Sequence, residues 1–134
     1  MTTQKNEHGL YRFELNDRIL TIWLEGSWND ECSISFCDQV KARADELSGT
    51  PWAMVINALR WELCTPSCWQ HFDQILVECI QRNLCCQATL FGSRMKVIMG
   101  DSHHKRVDDT FPIMTFDHVE EALSWCKSHL DAQA

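Results

Sequence analysis

The sequence predicts an α/β fold: a mixed, mostly parallel sheet of about five strands, opened by an antiparallel hairpin and covered by three to four helices. Three observations carry this expectation. Two β-type runs near the N-terminus are separated by turn residues. Two later apolar runs, Trp52 to Ile56 and Gln87 to Phe91, are short and nearly continuous, as in strands buried on both faces of a parallel sheet. The stretches that follow such strands carry apolar residues at steps of three and four, which marks one buried helix face.

Leu10 to Leu15 places Tyr11, Phe13 and Leu15 on one side and Arg12 and Glu14 on the other, a period of two. Asn16-Asp17 is turn chemistry. Arg18 to Trp28 is rich in β-branched and aromatic residues and completes the hairpin, with Gly26 marking a bulge or a close approach of backbone. Asn29 or Asp30 can cap the next helix, whose stripe is Phe36, Cys37, Val40, Ala44 and Leu47. Gly49 is expected to end it in a left-handed cap, with Pro51 beyond. After the Trp52 strand, residues 57–64 form a loop or a strand extension. Thr65-Pro66 then reads as an N-cap followed by proline at the first helical position. Cys68, Trp69, Phe72, Ile75, Leu76, Cys79 and Ile80 supply that helix's apolar face, which ends near Arg82-Asn83. Gln87 to Phe91 is a strand stopped by Gly92. Residues 93–109 carry at most one or two helical turns. Pro112 to Phe116 is a short strand, and Asp117 with Glu120 opens a last helix by a capping-box pattern.

The chain has 134 residues, which suits one domain, taken as residues 9–131 after a poorly ordered stretch 1–8. Hydrophobic residues at 45% and charged residues at 23% exclude wholesale disorder. The net charge of −7 argues against a nucleic-acid surface. The polar N-terminus has no apolar signal region and no run is long enough to span a bilayer, so no membrane insertion is expected and a cytoplasmic location is the expectation. There, eight cysteines stay reduced. Cys37, Cys68, Cys79 and Cys126 fall on apolar faces, where a free cysteine acts as a small buried hydrophobe.

Taken together, YRFELNDRILTIWLEGSW, MVINALRWELCTPSCWQ and TFDHVEEALSWC resemble the STAS-like (SpoIIAA-like) superfamily of small α/β regulatory domains, and its bacterial SpoIIAA-like branch in the last stretch. The resemblance covers most of residues 10–130. It implies a non-enzymatic regulatory or interaction domain that acts by protein–protein recognition, without a cofactor. It also implies a regulatory loop with a phosphoacceptor serine. Counting from Asn57, Ser67 takes the phosphoacceptor position, while Thr65, Pro66 and Cys68 replace the Asp, the first Ser and the Gly of the family's Asp-Ser-Ser-Gly motif. Thr65, Ser67 and Asn57 are the candidate regulatory residues.

Trp28 and Trp61 sit at the ends of neighbouring strands, where open α/β sheets bind ligands. With Arg60 they form a candidate partner or ligand surface. Two alternatives stay beside the regulatory reading. One is binding of a small apolar, lipid-like molecule. The other is a thiol or metal protein, raised by the C-x3-C-x2-H run Cys64, Cys68 and His71, although the spacing departs from structural zinc sites and no metal is expected. Homodimerisation through the antiparallel edge or through Met95, Met99 and Met114 is a further expectation.

Overall fold

Alternation decides the first strands. In β2 (Gly9–Asn16), Tyr11 and Phe13 are buried while Arg12 and Glu14 are not. β3 (Ile19–Trp28) pairs with it antiparallel through a two-residue turn. Both turn residues, Asp17 and Arg18, have positive φ, the type that matches the right-handed twist of a hairpin. Leu15, expected on the buried side, is 53% exposed at the turn end of the strand, where it borders an open groove with Arg43, Glu46 and Leu47.

The computed structural model describes residues 2–6, 9–92 and 111–133. Its described strands form a six-stranded sheet in sequential order: β1 (Thr2–Asn6), β2, β3, β4 (Trp52–Cys64), β5 (Leu84–Phe91) and β6 (Ile113–Thr115). The pairs β1–β2 and β2–β3 are antiparallel, and β3 to β6 run parallel. β1 is the difference from the expected five strands. A polar segment expected to be poorly ordered pairs along β2, whose edge would otherwise carry unpaired backbone groups.

Three helices are described: α1 (Asp30–Leu47), α2 (Pro66–Ile80) and α3 (Val119–Gln133). α1 and α2 pack side by side on one face over a core built on Tyr11, Phe13, Leu20, Ile22, Trp28, Phe36 and Trp52. α3 covers the other face over Val55, Cys86, Ala88, Leu90, Ala122 and Cys126. β4 is therefore buried on both faces along its first half, and Trp52, Ala53, Met54 and Val55 are all buried. The expected helical turns in 93–109, with Met95 and Met99, lie outside the described residues.

Two local expectations change. Gly49 does not adopt the left-handed region, and α1 ends on Ser48 with φ −63°. The orphan carbonyl of Leu47 is instead bound by the Arg18 guanidinium, which also binds the carbonyls of Thr50 and Pro51. Residues 57–64 continue β4 rather than form a loop, with register shifts near Glu25 and Gly26 on the partner strand. Gly26, at φ 79°, lies beside the second shift, in which the extra residue, Glu62, is on β4.

Candidate functional site

The site follows from how β3 and β4 end. Trp28 and Cys64, the last residues of the two strands, are register partners. Each strand passes into its helix through one residue, Asn29 or Thr65. The N-termini of α1 and α2 are thereby brought together at the carboxyl end of the sheet, each with free N–H groups and a positive dipole end.

Asn29 caps α1 by accepting a hydrogen bond from the Cys32 N–H at 2.9 Å. Thr65 occupies the N-cap position of α2, but its side chain makes no capping bond. Its hydroxyl donates to Asp30 Oδ1 at 2.6 Å instead. The Ser67 hydroxyl donates to the same oxygen. Asp30, in the first turn of α1, thus gathers two hydroxyls from α2. Hydrogen bonds from Ser67 and Thr65 hold its carboxyl below the usual carboxylate range, with a smaller contribution from the His71 charge. Ser67 is half-exposed, as a modifiable hydroxyl must be.

Beneath these hydroxyls lie two thiols. Cys68 Sγ is 3.2 Å from Thr65 Oγ1. The Cys64 thiol, hydrogen-bonded to Cys68, pushes the Cys68 thiol down to about 5 against the effect of burial, with Ser33 and Thr65 contributing. The same bond, with burial, pushes the Cys64 thiol up. Among the described residues no group of three His, Cys, Asp or Glu side chains could hold a metal ion, and Cys64, Cys68 and His71 form no such centre.

The other predicted residues separate. Asn57 is not near Ser67. It lies within β4 with its side-chain oxygen 3.3 Å from the Leu59 N–H. Arg60 is exposed and borders a groove of about 290 Å³ with Arg12, Trp23, Glu25, Asn57 and Leu59. Trp28 is not a surface residue. It is 3% exposed, donates its indole N–H to the Glu25 carbonyl at 2.9 Å, and packs against Tyr11, Phe36, Trp61 and Phe72. Trp61 is also buried, and lines an apolar cavity of about 60 Å³ between the sheet and α1 and α2. Gln87 and Thr89 are the cavity's polar wall. The Trp61 indole N–H is buried and finds no hydrogen-bond partner among the described residues. Asp30 is the residue that sequence reasoning missed as a site member. Its only local signal was helix capping, and 37 positions separate it from Ser67.

No family model matches the chain, and no curated protein matches it. Solved structures do. An uncharacterised protein of the DUF3478 family from Shewanella loihica, described as having a SpoIIAA-like fold, is similar with a TM-score of 0.66 at 13% identity, over 92% of this chain and 98% of that one. An anti-sigma factor antagonist from Mycobacterium paratuberculosis is similar with a TM-score of 0.61 at 13% identity, over 87% and 92%. The chain therefore has the SpoIIAA-like fold. No described helix is long and apolar enough to cross a membrane.

Proposed function

We propose that this chain, built on the SpoIIAA-like fold, is a non-catalytic regulatory domain that recognises a protein partner with the face formed by the N-termini of α1 and α2. Ser67 is its phosphoacceptor. The observation that carries this reading is the convergence of Ser67 and Thr65 on Asp30. Asp30 supplies from α1 a carboxylate beside the serine, in a region where the local motif has Thr65 and Pro66. The similar fold of an anti-sigma factor antagonist supports a regulatory role and a protein partner.

The chemistry of a switch follows from charge. A phosphate on Ser67 would meet the N–H groups and dipole of α2, which favour it. It would also face the Asp30 carboxylate, which repels it and can no longer accept the Ser67 hydrogen. The phosphorylated side chain must leave Asp30, so the face changes both in charge and in shape. Ser67→Asp is expected to lower partner recovery from source-cell lysate by roughly tenfold or more, while Ser67→Ala retains it. Equal recovery by both variants, with Ser67 unmodified in protein isolated from those cells, would sink the proposal.

Trp61 favours a second reading, a small apolar ligand with one hydrogen-bond acceptor. The cavity beside it is about 60 Å³, well below the roughly 300 Å³ at which ligand pockets begin, so the lining must part to admit an occupant. Native mass spectrometry of freshly purified protein is the test. A co-purifying small molecule that Trp61→Phe loses supports this reading. A bare wild-type mass, with no thermal shift across a panel of small esters and ketones, removes it. Trp61→Phe loses no hydrogen bond but takes three atoms from a ring packed on Trp28, Trp69 and Phe72, and is expected to cost about 1–3 kcal/mol through the space it leaves. Denaturant unfolding of the variant checks that.

A further inference from the structure

The sheet face opposite α1 and α2 is covered by α3 over Ala53 and Val55, near the start of β4. Further along that face, Arg12, Trp23 and Asn57 are only half-buried and Arg60 is exposed. Arg12, Trp23 and Asn57 are register partners across β2, β3 and β4, and Glu25 is the partner of Arg60 in the next row. With Leu59 these side chains line the groove of about 290 Å³. The Arg12 guanidinium stacks on the Trp23 ring, its carbon 3.9 Å from the centroid. Asn57 gives its side-chain oxygen to the Leu59 N–H, which leaves its amide N–H groups to donate elsewhere. Among the described residues no carboxylate, Glu25 included, lies within salt-bridge distance of Arg12 or Arg60. In a chain of net charge −7, these two cations are left unclaimed by its own described acids.

We propose that this groove binds a small organic monocarboxylate whose body carries a hydrogen-bond donor. The stack on Trp23 holds the Arg12 fork in place, and a planar guanidinium so held matches the two oxygens of a carboxylate. Arg60 adds a second positive charge in the adjoining row. Glu25 brings the local sum down from two positive charges to one, so the groove suits a single negative charge better than the two of a phosphate ester. Glu25 also supplies the acceptor for a hydroxyl or ammonium group on the ligand, and Asn57 a further donor. Leu59 and the Trp23 ring offer apolar contact to the carbon atoms between. The volume is close to the roughly 300 Å³ at which ligand pockets begin, which fits a metabolite-sized molecule.

The groove lies on the opposite face of the sheet from α2 and the Trp61 cavity, so it stands or falls apart from both earlier readings. Its test is an NMR titration of the isotope-labelled whole chain with lactate, glycolate, mandelate and glutamine, and with inorganic phosphate beside them. The Trp23 indole N–H and the Arg12 side-chain N–H signals are expected to shift saturably, at millimolar concentration, with at least one of the carboxylates. Arg12→Lys keeps the charge but loses the fork, and is expected to weaken that binding roughly tenfold, as is Arg60→Gln, which removes the second charge. The proposal is overturned if none of the carboxylates moves these signals, or if both variants bind as tightly as the wild type. Phosphate binding as tightly as the best carboxylate overturns it equally, since only bare charge would then be read. Shifts confined to residues outside the groove do the same, and that wild-type map decides even if a variant does not fold.

Discussion

Trp28→Ala is expected to destabilise the domain by about 3–5 kcal/mol, the range for truncating a large buried aromatic. Trp28 sits at the end of β3, yet only 3% of it is exposed. Its ring contacts Tyr11, Phe36, Trp61 and Phe72, and its N–H is satisfied by the Glu25 carbonyl. Removing it opens a void between β2, α1 and α2, and the four surrounding rings cannot collapse into it without leaving their own contacts. Gly9 shows how tightly the site is filled, because a Cβ there would run into the Trp28 ring. Whole domains have only about 5–15 kcal/mol of stability, so the variant should unfold at a far lower urea midpoint with an unchanged slope. A change under about 1 kcal/mol would mean that the ring is not packed as described.

Arg18→Ala is the second large effect, expected at about 2–3 kcal/mol from the loss of charge-assisted bonds to three carbonyls, discounted because water can reach one of them. Arg18 sits at φ 66°, a conformation that a glycine adopts without cost. Arg18→Gly should therefore retain about 1 kcal/mol more stability than Arg18→Ala, since alanine keeps the strain and loses the clamp. The comparison separates the two contributions in one unfolding series. Equal stability of wild type and both variants would show that the clamp is unimportant. The same residue explains why Gly49 is not a left-handed cap: a cation from the preceding hairpin satisfies the α1 terminus, so no local cap is needed.

Legibility follows the range of each interaction. The period of two in Tyr11 and Phe13, the continuous run at Trp52 and the helical stripes are local, and each matched an element. Thr65-Pro66 marked the start of α2 within one residue. The polar N-terminus did not announce β1, since pairing with β2 supplies that strand's stability and its own side chains supply no pattern. Cys64, Cys68 and His71 were visible as a run that suggested a metal, but the neighbours of the Cys68 thiol, the Thr65 hydroxyl and the Asn29 carbonyl, depend on the packing of α2 against the start of α1.

By itself the sequence determined the fold class, the order of the described elements from β2 to α3 and the presence of a hydroxyl-bearing helix start at Ser67, because these rest on periodicity and capping within a few residues. Only the tertiary structure decided which residues share a site. Parallel pairing of β3 with β4 sets Asp30 against Thr65 and Ser67. The same pairing buries Trp28 and Trp61 on the α1 and α2 side. Arg60 instead stays exposed, bordering a groove with Asn57. The physical reason is that strand register and the side taken by each helix are collective properties of the sheet, and no window of neighbouring residues contains them.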